Sequence, residues 1–169
     1  MEQPISNAVE HQTAAFFSLI NHPVTFRLYL LKKLPAAFFS GLKIVQANSL
    51  LCAVSIPFKW LTQNPFRSTY FASLSMAAEL STGVLGMAHV HKRKPSVSML
   101  VTAIEGKFHK KATGLTVFQC SDGNVIRNAI ETAILLRTPQ EIKAHSVGRN
   151  REGEVVAEFW ITWSFKGKE

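Results

Sequence analysis

Two cysteines, Cys52 and Cys120, are all that the 169 residues hold, and they have no metal-ligand spacing. That rules out a zinc centre built on thiolates and a disulfide framework. Both read as small core residues of a reducing compartment. Charge is also scarce. Asp, Glu, Lys and Arg make up 18% of the chain against 47% hydrophobic residues, which excludes a disordered polymer. His89 and His91 lie two residues apart with no third ligand, and His109 and His145 are isolated, so neither a metal nor a cofactor is expected. Ser73, Ser75 and Ser81 have no nucleophile-elbow pattern around them, which excludes a serine hydrolase of that type. There is no internal repeat, low-complexity tract or linker. Met1-Glu2-Gln3-Pro4 lacks the basic start and apolar core of a signal peptide, so a cytoplasmic location is expected.

Acidic residues are the scarcer charge: 11 against 19 basic, a net charge of +8. A basic surface attracts anions, whether nucleic acid, acidic lipid or the phosphates of a small molecule. The most basic run is His89-Val90-His91-Lys92-Arg93-Lys94. No aromatic residue interleaves it and no nucleic-acid motif accompanies it, so nucleic acid is not expected as a partner. Lys107, Lys110 and Lys111 form a second, equally unspecific group.

Hydrophobic periodicity orders the chain. Residues 7–33 read as two helices, the first capped by Asn7 and the second started by Pro23 after a break at His22-Pro23. Packing on the main domain is the plainer role for this amphipathic pair, with a membrane-surface role as the alternative. From Leu42 the period falls to two. Residues 42–46 and 50–56 read as a hairpin about Asn48-Ser49, and a polar loop, 57–69, follows. Strands are expected over 97–108, 113–120, 140–148 and 155–165, with a short helix over 124–137. In the last strand Val155, Ala157, Phe159, Ile161, Trp163 and Phe165 share one face. Strands in hairpins imply an antiparallel sheet, and one long apolar helix covering a curled sheet gives an α+β fold.

That helix, Tyr70 to Val90, runs for 21 residues with one acidic residue and no lysine or arginine. It is long enough to cross a bilayer. A central acidic residue costs about 2.5–3.5 kcal/mol on insertion, however, and three serines, a threonine and two glycines add polarity. A buried core helix is the expectation, with no stable membrane span. The acidic residue is Glu79. Its helical face holds Ala72, Ser75, Met76, Thr82, Gly83 and Gly86, which are small or partly polar. The stripe Phe71, Leu74, Ala78 and Leu85 is expected to enter the sheet. A lone carboxylate there must reach water or have a task, and burial should raise its pKa.

Asn64-Pro65-Phe66-Arg67-Ser68-Thr69-Tyr70-Phe71-Ala72, followed by Glu79, resembles the active-site segment of hotdog-fold acyl-CoA thioesterases of the phenylacetate-pathway type. Those enzymes carry an Asn, a His-Gly-Gly at the helix start and an acid inside the helix. The resemblance covers about residues 42–165 and is close to a divergent branch of unassigned function. It implies one hotdog domain over 1–169, with a helical extension at 1–40 and the core at 41–169. It also implies a homodimer or a dimer of dimers, and a site for an acyl-CoA-like or lipid-like molecule at the interface.

By this resemblance Glu79 is the general base or nucleophile and Asn64 positions water or thioester. The Phe71 and Ala72 amides polarise the carbonyl, and Tyr70, Ser75, Met76 and Gly83 line the substrate. The chain departs from the pattern in having Tyr70-Phe71-Ala72 where the enzymes have His-Gly-Gly. The plainer alternatives are a turn for Asn-Pro and, for Glu79, a buried acid paired with a lysine, arginine or histidine across the dimer. Ser68 and Glu79 are roughly 16 Å apart along a helix, so one carbonyl can meet both ends only across two chains. A non-catalytic acyl binder using the same pocket is the alternative function. If the basic run has a ligand, the phosphates of CoA are the anion it fits.

Overall fold

Proline and glycine mark out the first third of the chain. In a computed structural model, which describes residues 4–168, helix α1 spans Pro4–Asn21, α2 spans Pro23–Lys33 and α3 spans Pro35–Ser40. Pro23 and Pro35 each open a helix, where the missing N–H costs nothing. Gly41 closes α3 with φ +84°, a left-handed cap that a side chain would strain. Asn7 lies inside α1 and not at its N-cap, because the helix already runs from Pro4. The third helix had no strong periodicity to announce it over six residues.

The remaining elements are β1 (Lys43–Ala47), β2 (Cys52–Ile56), a 3-10 turn (Trp60–Thr62), α4 (Phe71–Val90), β3 (Val97–Phe108), β4 (Thr116–Cys120), α5 (Gly123–Leu136), β5 (Gln140–Arg149) and β6 (Val155–Gly167). The six strands form one sheet in the order β1-β2-β4-β5-β6-β3, antiparallel at every pairing. Register shifts in β1, in β3 at Thr102 and between β5 and β6 help it curl. The sheet wraps α4, which lies against β2, β4, β5, β6 and β3. This is the expected α+β hotdog arrangement. Although α4 has the length and composition of a membrane span, 67% of the window that qualifies is buried within the fold, as in a core helix.

Polar ties set the rotation of α4. Trp163, on β6, donates from Nε1 to Thr82 Oγ1 at 2.8 Å, and Thr82 Oγ1 donates to the Glu79 carbonyl at 2.9 Å. Ser81 and Ser146 share a buried hydrogen bond of 2.7 Å between α4 and β5. Small residues let the sheet come close. A Cβ on Gly83 would stand 3.2 Å from the Trp163 ring, and one on Gly86 would stand 2.8 Å from the Met99 methyl. Leu74, Ala78 and Leu85 enter the core as expected, but Phe71 is 56% exposed. It occupies the first position of the helix, beyond the cover of the sheet.

Cys52 and Cys120 are free, buried and opposite one another on β2 and β4. Burial pushes the Cys120 thiol up to about 12, so it stays protonated at neutral pH.

Replacing Thr82 with Val leaves the buried Trp163 N–H without its acceptor. The expected cost is about 1–3 kcal/mol, read as a lower urea midpoint at unchanged m-value.

Candidate functional site

The sheet leaves one stripe of α4 partly open. Ala72, Ser75, Met76, Glu79, Met87 and Val90 are half-buried, whereas Leu74, Ala77, Ala78 and Leu85 are buried. Glu79 sits on this stripe, with Gly83 and the Trp163 ring of β6 beside it. A Cβ on Gly83 would lie 3.2 Å from Glu79 Oε1, so the glycine leaves room beside the carboxylate. Burial raises the Glu79 pKa above its ordinary value. Among the described residues no lysine, arginine or histidine forms an ion pair with it. Its charge reaches Tyr29 on α2, whose hydroxyl is held more strongly protonated by burial and then by Glu79.

The other half of the expected site is at the start of α4. Asn64 Oδ1 accepts from the amides of Phe66 at 3.0 Å and Ser68 at 3.2 Å, and Nδ2 donates to Ser68 Oγ at 3.1 Å. This is an Asx turn that sets the loop. The Thr69 amide donates to the Ala112 carbonyl at 2.7 Å and the Tyr70 amide to the Thr62 carbonyl at 2.7 Å, fixing where α4 begins. No side chain caps the helix. Ser73 and Leu74 donate back to the Tyr70 carbonyl, so Phe71 and Ala72 carry the outermost amides, at the positive end of the helix dipole. The rings of Tyr70 and Phe71 meet edge to face at 4.8 Å. Together with Asn64, Phe66, Phe108 and Lys110 they line a cavity of about 590 Å³.

Within one chain the two halves do not meet. Phe71 and Glu79 are eight residues apart, roughly 12 Å along the axis. Asn64, Tyr70 and Phe71 are brought together at one end. Glu79 and Gly83 lie mid-helix, with Ser75 and Met76 between.

The open stripe borders the edge strand β3, whose only strand partner among the described residues is β6. Ile104 and Phe108 pair with Ile161 and Ala157, both buried, so they face the helix side of the sheet. Even so, they remain 49% and 50% exposed.

The histidines depart from their sequence reading. His89 is buried and cannot serve as a cation at the end of α4. Its pKa is pulled down to about 4 by burial, then by Arg127 and Arg93, with Glu131 partly opposing. Arg93 pairs with Glu131. His109 and His145 are not isolated: both Nε2 atoms hydrogen-bond Glu158, at 2.9 and 2.8 Å. His109 first, and His145 with it, hold the Glu158 carboxyl below its ordinary pKa. The strand register brings them together, and no spacing in the sequence signals it. Arg137, Lys166, Lys168 and Ser98 line a basic pocket where β3 begins and β6 ends. Lys166 and Lys168 were not singled out by any motif.

Solved structures share this architecture. A Pseudomonas aeruginosa protein of unknown function, described as a probable thioesterase, is 22% identical, with 89% of this chain and 99% of that one covered at TM-score 0.72. A Haemophilus influenzae thioesterase is 15% identical, with 83% and 88% covered at TM-score 0.63. These likenesses establish the hotdog fold. No curated protein matches the chain. Residues 26–165 match the model of a domain of unknown function, DUF4442. The chain belongs to that family.

Because the folded-state pKa of His89 lies below its ordinary 6.5, the unfolded chain takes up the proton first. Its contribution to stability is complete above pH 6.5 and is lost as pH falls toward 4. Melting temperatures from pH 7 to pH 4.5 should fall less steeply for His89→Gln than for the wild type.

Proposed function

We propose that this protein is an acyl-CoA thioesterase that works as a homodimer, with two active sites between the subunits. The observation that carries the reading is Glu79, a half-buried carboxylate with a raised pKa and no basic partner among the described residues of its own chain, on the partly open stripe of the central helix. That is the environment of a general base.

Edge strand β3 supplies the means of pairing. A long unpaired edge invites another strand, and Ile104 and Phe108 add exposed apolar surface on the helix side. Antiparallel pairing of two β3 strands sets the Phe108 end of one beside the Val97 end of the other. The α4 start of one subunit then approaches the partner's α4 and its basic pocket. Arg137, Lys166 and Lys168 are suited to the phosphates of CoA.

In this dimer Glu79 takes a proton from water as the oxygen attacks the thioester carbon. The carbonyl oxygen gains the charge and is held by the amides of Phe71 and Ala72 of the partner subunit. Collapse breaks the carbon–sulfur bond, and the CoA sulfur leaves with the proton that Glu79 held. The products are a carboxylic acid and free CoA. Asn64 holds the loop, and one Nδ2 hydrogen stays free for the thioester. Tyr70, Ser75, Met76 and Gly83 border the substrate.

A non-catalytic acyl carrier is the second reading, favoured by the rings of Tyr70 and Phe71 where comparable enzymes have His-Gly-Gly. Release of CoA from short, long and aromatic thioesters separates the two. The enzyme reading expects turnover that falls roughly 100-fold or more in Glu79→Gln with folding intact. Retention of acyl ligand with no CoA release favours the carrier.

Turnover should rise with pH through a pKa above the usual carboxylate range. With its folded-state pKa raised, Glu79 lowers stability as it ionises, so Glu79→Gln should melt higher than the wild type at pH 8 and equally at pH 4. Ile104→Lys should sediment as a monomer and lose turnover. A monomeric wild type with full activity would refute the interface site.

A further inference from the structure

The first three helices do more than cover the core. Between α1, α2 and the last turns of α4 lies a chamber of about 320 Å³. Phe16, Ile20, Phe26 and Tyr29 form its outer wall, and Met87 and Val90 form its floor. Among the described residues no lysine, arginine or carboxylate lines it, and His91 is the one ionisable side chain there besides Tyr29. The Tyr29 hydroxyl is turned to Met87 Sδ at 3.6 Å, so even the polar tip of this wall meets a soft, apolar partner.

The floor continues the line of Glu79. Glu79, Gly83, Met87 and Val90 follow one another at spacings of four, four and three along one side of α4. Gly83 places no side chain of its own between the carboxylate and Met87, and the Trp163 ring lies against one side of it. From Glu79 to Val90 is roughly 16 Å. A helix, about 10–12 Å across, does not fit a chamber of this size. A slender unbranched chain does: at about 30 Å³ for each water-sized group, the volume accepts on the order of ten carbons.

We propose that this chamber is the pocket for the acyl chain, and that the substrate is a thioester of a straight, medium-length aliphatic acid whose chain runs from Glu79 toward Val90 under the N-terminal helices. The inference rests on the thioesterase reading for the identity of the chain as an acyl group. The N-terminal helices then set chain length, since most of the outer wall comes from them. Glu79 stands close enough to the Tyr29 wall of the chamber for its charge to act on that hydroxyl.

Two measurements test it. Calorimetry with sodium decanoate and sodium butyrate reads the chamber without any reaction. Decanoate should bind and butyrate should not, with decanoate affinity at least tenfold weaker in Val90→Phe, which fills the floor. Thr25→Phe fills the chamber from α2 and should act alike, so the test survives if one variant fails to fold by circular dichroism. Steady-state kinetics with decanoyl-CoA and butyryl-CoA should show the kcat/KM ratio of long to short falling at least tenfold in both variants.

A wild type that binds no decanoate, or filled variants that keep both the affinity and the ratio, overturns the proposal. The two readings fail separately. Decanoate binding lost in the filled variants, with no thioester cleaved, upholds the chamber and sinks the enzyme. Turnover that depends on Glu79, with a chain-length ratio that neither variant changes, sinks only the chamber.

Discussion

The hydrogen bond from the Trp163 indole to Thr82, passed on to the Glu79 carbonyl, ties the central helix to the sheet at the turn that carries the carboxylate. An apolar helix in an apolar cradle has little to fix its rotation, because hydrophobic burial is not directional. Buried polar groups are different: they must find partners, and a wrong rotation leaves them unsatisfied. The Ser81–Ser146 bond acts in the same way on the far side. With α4 held so, Glu79 emerges beside the Trp163 ring and within electrostatic reach of Tyr29, and the open stripe takes its place.

Glycine placement follows from the same constraint. Gly83 and Gly86 admit the Trp163 ring and the Met99 methyl to the helix surface. Without them β6 and the edge strand β3 would stand farther off, and the carboxylate would lose its wall. Burial on that side raises the Glu79 pKa, so the packing that holds the helix also tunes its acid. The raised pKa has a stability cost at alkaline pH.

Much of this was legible in residue pattern. The alternation from Val155 to Phe165 foretold the strand and its buried face, and Pro23 foretold the start of α2. The long stretch with a single charged residue foretold the core helix and drew attention to Glu79. Other features were hidden for identifiable reasons. The six residues of α3 carry too little periodicity to read. Phe71 belongs to the greasy stripe by spacing but lies at the helix end, past the sheet. His109 and His145 meet at Glu158 only because β5, β6 and the end of β3 come together. His89 belongs to the basic run by sequence, but the packing of α5 buries it beside Arg93 and Arg127.

The sequence by itself determined every strand and all the helices but α3, the antiparallel class and the one acid worth attention, because these depend on local periodicity and on the cost of burying charge. Tertiary structure alone decided how the helix is turned, which stripe stays open, and that α1 and α2 roof an apolar chamber in line with Glu79. Those are facts about residues distant in the chain, such as Tyr29 with Met87 or Thr82 with Trp163. No local pattern encodes them, since the partner that satisfies each group is chosen only when the whole sheet closes.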